Sequence, residues 1–132
     1  MQAFLIDLEN KPGAFADVAE MIAAKGINIT AVSGATCGDS GRTVIMTDND
    51  ALTRSVLSEG KCSFKEHGVT DTSLRNVPGS LAKATRRLAD AGVNIESLLP
   101  IGMEGDEVRV IFVTDDPTKA AAALSHVATM GT

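Results

Sequence analysis

The chain has 132 residues, 44% of them hydrophobic, which is the composition of an ordinary globular protein and the length of one domain or two very small ones. Its formal charge of −5 divides into −3 over residues 1–66 and −2 over 67–132, so neither half is an electrostatic partner for a phosphate backbone. With no Trp, no Tyr and only four Phe, it also lacks platforms on which single-stranded bases stack, and nucleic acid is excluded as a partner.

Charges or glycines break every apolar stretch well short of the roughly 20 residues a membrane span needs, so no membrane partner is expected. Met1 is not followed by the basic segment and apolar core of a secretory leader. The expectation is a cytoplasmic protein. Cys37 and Cys62, without a second pair or a histidine at ligand spacing, read as reduced thiols; no metal or cofactor is expected.

In chain order, residues 3–8 (AFLIDL) form a short apolar run of strand type. Pro12 and Gly13 follow, and then Phe15, Val18, Ala19 and Ile22 fall at helical spacing with Asp17, Glu20 and Lys25 on other faces. Gly26 is placed to close this helix in a left-handed conformation before INITAVS begins a second strand. The turn-rich GATCGDSG leads into RTVIMT, read as a half-buried, alternating strand. Asp50 is read as the N-cap of a second helix, and CSFKEH as a closing strand containing Cys62.

The same order then recurs. Sliding the sequence by 66 aligns Leu8 with Leu74, Asn10 with Asn76, Pro12 with Pro78, Gly13 with Gly79, Gly26 with Gly92 and Asn28-Ile29 with Asn94-Ile95. Continued without a gap, it sets Val44-Ile45 against Val110-Ile111 and Asp50 against Asp116, which precedes Pro117 as an N-cap precedes a proline at N1. Duplication of one unit explains this, giving domains 1–66 and 67–132. Leu81, Ala84 and Leu88 make the second unit's apolar stripe, Gly92 ends its helix, and Lys83, Arg86, Arg87 and Asp90 read as a solvated face. EVRVIFVT reads as a second alternating strand. Strand, helix, strand, strand, helix, strand, given twice, is the ferredoxin-like arrangement: α+β, two βαββαβ units packed side by side, with antiparallel sheets and helices on one face. Residues 127–132 (VATMGT) make a poor last strand.

The repeated loop carries what chemistry the sequence offers. With Pro12 as first helical residue, the unpartnered N–H groups of Gly13 and Ala14 meet the positive end of the helix dipole, an anion site that needs no basic side chain. Asn10, just outside, keeps its amide free to donate and accept. On spacing alone, Asn-x-Pro-Gly reads equally as this cradle or as a simple strand-to-helix turn.

Both units resemble ACT domains, the amino-acid-sensing modules of many metabolic enzymes, in the strands ending at Leu8 and Leu74, the Asn-x-Pro-Gly of 10–13 and 76–79, Gly26 and Gly92, and Asn28-Ile29 and Asn94-Ile95. The resemblance covers all but the last few residues. It implies an effector amino acid held where two ACT domains meet, on Asn10, Lys11, Pro12, Gly13, Ala14, Asn28, Ile29 and Thr30. In the second unit it implies Asn76, Val77, Pro78, Gly79, Ser80, Asn94, Ile95 and Glu96. Glu96 reads either as a partner for an ammonium group or as a charge protecting a sheet edge. The implied function is regulatory: a freestanding sensor that acts through assembly or contact with an enzyme or regulator. The alternative is an interaction subunit without ligand, as in the glycine-cleavage-repressor group of that family. Exposed edge strands favour homodimers or higher assemblies.

No catalytic residue is expected, for Cys37, Cys62, His67 and His126 show no relation to one another. Residues 48–59 resemble a calcium loop at Asp48, Asp50 and Glu59 but have Leu52 and Thr53 where an oxygen ligand and a glycine are required. GATCGDSGRT lacks the Gly-Lys-Ser/Thr ending of a phosphate loop.

Overall fold

A computed structural model describes residues 1–125. The chain divides into two compact units, Met1–Glu66 and His67–Thr132. Unit one contains β1 (Gln2–Glu9), α1 (Ala14–Ala23), β2 (Ile29–Cys37), β3 (Ser40–Thr47) and α2 (Asp50–Glu59). β4 (Phe64–Arg75) runs through the division, and α3 (Ser80–Asp90), β5 (Ile95–Glu104), β6 (Glu107–Thr114) and α4 (Pro117–Leu124) follow. The fold is α+β with antiparallel sheets, as expected. The expected last strand at 127–132 and His126 lie outside the described residues.

In unit one β3 pairs antiparallel with both β1 and β2; in unit two β6 does the same with β4 and β5. Phe4, Ile6 and Ile45 pack against Val18 and Ile22 of α1 and Val56 and Leu57 of α2, so both helices cover one sheet face. Unit two repeats this with Leu74, Val110 and Phe112 against Ala84 and Leu88 of α3 and Ala120 and Leu124 of α4. Gly26 (φ 73°) and Gly92 (φ 74°) adopt the left-handed conformation that ends the first helix of each unit.

Five details correct the sequence reading. The strands read as half-buried are buried at every position from Thr43 to Thr47 and from Val110 to Thr114, and strands buried on both faces do not alternate. The closing strand begins at Phe64, leaving Cys62 in the preceding loop, and continues past His67 to Arg75. Arg87 is not merely solvated: its Nε donates to the Ala123 carbonyl at 3.0 Å, tying α3 to α4.

The repeat is also not gap-free. Val32 pairs with Ile45 and Leu98 with Phe112, so the offset is 66 on the second strand but 67 on the third. The extra residue is Ile101, accommodated by a register shift between Pro100 and Gly102, as a β-bulge inserts one residue into one strand of a pair. Val44-Ile45 therefore correspond to Ile111-Phe112. The counterpart of Asp116 is Asn49, and Asn49, not Asp50, caps α2 by accepting from Leu52 N at 3.0 Å; Asp116 caps α4 by accepting from Lys119 N at 3.0 Å.

The corrected offset explains a buried orphan. In unit one the hydroxyls of Thr47 and Thr53 meet at 2.7 Å, Thr53 also donates to the Asn49 carbonyl, and Thr47 accepts from Asn49 N. Unit two keeps Thr114 but has Ala120 where Thr53 stood, and the buried Thr114 hydroxyl has no hydrogen-bond partner among the described residues. Thr114→Val should therefore raise stability by about 1 kcal/mol, because it removes an unpaired polar atom while keeping the shape. Thr47→Val should lower it by about 1–3 kcal/mol by stranding a paired one. Urea unfolding midpoints of the two variants check the opposite signs.

At the end of unit one, Arg54 grips Glu66 with Nε at 2.7 Å and Nη2 at 2.6 Å from the two carboxylate oxygens. This hydrogen-bonded guanidinium lowers the Glu66 pKa below its ordinary 4.5 and raises that of Arg54. A carboxylate whose folded pKa is depressed adds stability that is present above its unfolded value and disappears as pH falls through the folded one. The stability difference between the native chain and Arg54→Met should thus be present at neutral pH and close as the pH drops below 4.5. Paired urea titrations at neutral and acid pH measure it.

Candidate functional site

Each repeated Pro-Gly builds a tight turn, not a first helical residue. Gly13 has φ 88° and ψ −10°, Gly79 has φ 91° and ψ −13°, and both are the N-caps of their helices. Ala14 N donates to Lys11 O at 3.3 Å and Ser80 N to Val77 O at 3.3 Å. Proline at the second position and a positive-φ glycine at the third define a type II β-turn, which accounts for both conserved identities of the repeat. The helix begins two residues later than Pro12 suggests. The first-turn donors without a partner among the described residues are consequently Gly13, Phe15 and Ala16 in unit one, and Gly79, Leu81 and Ala82 in unit two.

Asn10 is only partly free to donate, one of its two amide N–H groups being taken. Its Nδ2 donates to Gly38 O at 2.8 Å and its backbone N–H to Asp39 O at 2.9 Å, strapping the loop to the β2–β3 hairpin. Asn76 repeats the backbone bond, to Asp106 O at 2.8 Å, but its amide has no partner among the described residues.

Beside this loop lies a cleft of about 570 Å³, formed wholly within unit one by Asn10, Lys11, Ala14 and Phe15 on one side and by Val32–Thr36 with Gly41–Thr43 on the other. Two cations stand at it, each already matched: Lys11 with Glu9 at 3.0 Å, and Arg42 with Asp7 at 3.0 Å. Unit two has a smaller cleft of about 260 Å³ at the equivalent place, lined by Asn76, Val77, Ser80, Leu81, Leu98, Pro100 and Val108 among others.

Of the residues singled out by sequence, Asn10, Lys11 and Ala14 line the first cleft and Asn76, Val77 and Ser80 the second, while Pro12, Gly13, Pro78 and Gly79 shape the turns behind them. Asn28, Ile29 and Thr30, and Asn94, Ile95 and Glu96, line neither cleft. Ile29 pairs with Thr47 while Asn10 reaches the hairpin beyond Ser40, so the two groups sit at opposite ends of β3, about 23 Å apart at strand rise. Their role in the structure is a clamp. Asn28 N donates to Asp48 Oδ1 at 3.0 Å and Asp48 N to Asn28 O at 3.1 Å, and Asn94 with Asp115 does the same at 2.9 and 3.2 Å. Glu96 accepts from Asn94 Nδ2 at 3.3 Å on an exposed edge.

The cleft residues that sequence reasoning passed over are Val32–Thr36 and Gly41–Thr43. The sequence reading of GATCGDSG as a turn hid them: β2 runs on to Cys37 and β3 begins at Ser40, so Gly34 and Gly41 lie inside strands, where a glycine often marks close approach of a ligand or another backbone. Cys37 is exposed and Cys62 partly buried, with burial raising the Cys62 thiol pKa. Among the described residues no cluster of His, Cys, Asp and Glu is placed to hold a metal, and no helix is long and apolar enough to cross a membrane.

Unit one is thus an antiparallel sheet with both helices on one face and a cleft beside its first strand–helix turn. Residues 3–54, which carry the whole of that cleft, match the family model of the ACT domain. A protein of Bacteroides thetaiotaomicron with a known crystal structure is 26% identical, with a TM-score of 0.76 over 95% of this chain and 86% of its own. The regulatory subunit of aspartate kinase from Thermus thermophilus, in its ligand-free form, shares the fold at 20% identity and a TM-score of 0.64, covering 96% of this chain and 91% of its own. Aspartokinase alpha and beta subunits share it at 21% identity and 0.68, over 97% and 93%. No curated protein matches the sequence.

Proposed function

We propose that this protein is a regulatory sensor built from two ACT-type units, 1–66 and 67–132, without catalytic chemistry of its own, that binds a free amino acid beside its first strand–helix turn. The observation that carries the reading is the cleft of about 570 Å³ next to Asn10–Ala14, in the segment that matches the ACT domain. Phe15 N and Ala16 N lack partners among the described residues and stand at the positive end of the α1 dipole, a place that favours a carboxylate. Asn10, held by the hairpin, keeps its Oδ1 for an ammonium group. The ACT resemblance implies that a second copy of the chain completes the site, and that the output passes through a homo-oligomer or through contact with an enzyme or regulator. A ligand shifts such an assembly only by its differential affinity for the two states.

Titration calorimetry of the full chain against each of the twenty amino acids tests this. Heat with one or a few related ligands supports the sensor. Silence across the panel rejects it and leaves an interaction module.

A further inference from the structure

Cross-strand partners share a sheet face, so the registers show what floors each cleft. On the helix-covered face of unit one, Leu8 stands opposite Gly41, itself opposite Thr36; Ile6 stands opposite Thr43, itself opposite Gly34. With the Ile101 insertion counted, the unit-two positions of Gly41 and Gly34 are held by Val108 and Pro100. Where unit one has two bare Cα atoms, unit two has side chains. Val108 packs against the unit-two core, and the cleft there has less than half the volume, about 260 against 570 Å³.

Neither glycine is required by backbone conformation. Among the glycines of unit one, Gly13, Gly26 and Gly38 have positive φ, and Gly34 and Gly41 do not. A Cβ on Gly41 would lie 3.2 Å from the Thr36 methyl, and one on Gly34 would lie 3.3 Å from Arg42 O. Both contacts are tight, so these glycines stand where the neighbouring strands come close, and the absence of a side chain at each keeps the floor of the cleft low. The walls are apolar and open, with Phe15 38% and Val32 53% exposed. Lys11 and Arg42 are already matched by Glu9 and Asp7, so a charged ligand side chain would lose water here without gaining an unmatched counter-charge.

Resting on the sensing role proposed above, we infer that the ligand is an amino acid with an apolar side chain, seated on the Gly34–Gly41 floor between Phe15 and Val32, and that unit one alone binds it. Calorimetry of the full chain with the twenty amino acids should give one site per chain for one or more apolar amino acids and none for Asp, Glu, Lys or Arg. Gly41→Val, which installs the unit-two residue, should weaken binding about tenfold or more. Far-UV circular dichroism and melting verify that it stays folded, and the exposed Phe15→Ala, which leaves the core intact, should weaken binding as well. Two sites per chain, tightest binding of a charged amino acid, or native affinity in both folded variants overturns the inference while leaving amino-acid sensing intact. No heat with any amino acid overturns the sensing role itself and this inference with it.

Discussion

Phe4→Ala is expected to lower stability by about 3–5 kcal/mol, the largest loss of any single truncation considered for unit one. Phe4 is fully buried at the centre of the helix-covered face, and its ring meets that of Phe64 with centroids 6.1 Å apart at 51°. Truncation removes the apolar contact area, leaves a cavity in close-packed surroundings, and deletes the tilted ring pair that joins β1 to β4. A unit of this size has little stability in reserve, so the variant should be partly unfolded at room temperature. Urea denaturation followed by circular dichroism measures the loss. Phe4→Leu, which refills most of the volume, should recover more than half of it. Equal losses for both variants would mean that ring geometry, not volume, decides.

Gly13→Ala is expected to act on both fold and ligand. The Cβ itself meets nothing within 4 Å, so any cost arises from the backbone, which at φ 88° disfavours every residue with a side chain. That strain is about 1–2 kcal/mol. The chain can relieve it only by changing turn type, which re-aims the first-turn N–H groups of α1 and the adjoining edge of the cleft. Gly79→Ala imposes the same strain at φ 91°, again with open space around the Cβ, but in the unit inferred not to bind. The two variants should therefore melt alike, while only Gly13→Ala loses affinity in the amino-acid titration. Matched losses in affinity would place a ligand in both units.

The architecture was legible because the repeated sequence states most of its elements twice. The 3.6-residue stripe of Val18 and Ile22 recurs as Ala84 and Leu88, and Gly26 and Gly92 close both helices with the dihedral that only glycine adopts cheaply. Positions that depend on three-dimensional company were misread. Thr43–Thr47 gave the signal of an alternating strand because polar threonines flank the apolar run, yet all five are buried. Asp50 resembled an N-cap, but the cap is fixed by where the preceding strand ends, and the bulge moved that by one residue relative to the repeat. The site was half legible. Pro-Gly announced the turn, whereas the opposite wall of the cleft came from strand residues without charge or motif, brought to the loop only by the β2–β3 hairpin. Asn28 and Asn94 drew attention by recurring, and they recur because each closes a two-bond ring with an aspartate at the far end of the sheet.

The single residue at Ile101 also governs how the two halves can be exchanged. A chimaera joined before position 100 on the second strand inherits a shift of 66, and one joined after position 102 inherits 67. A crossover designed from the ungapped alignment would leave the third strand one step out of phase. In a pleated sheet that step turns every inward side chain outward. The lone extra isoleucine is therefore a seam, and grafting between halves has to carry it whole or leave it whole.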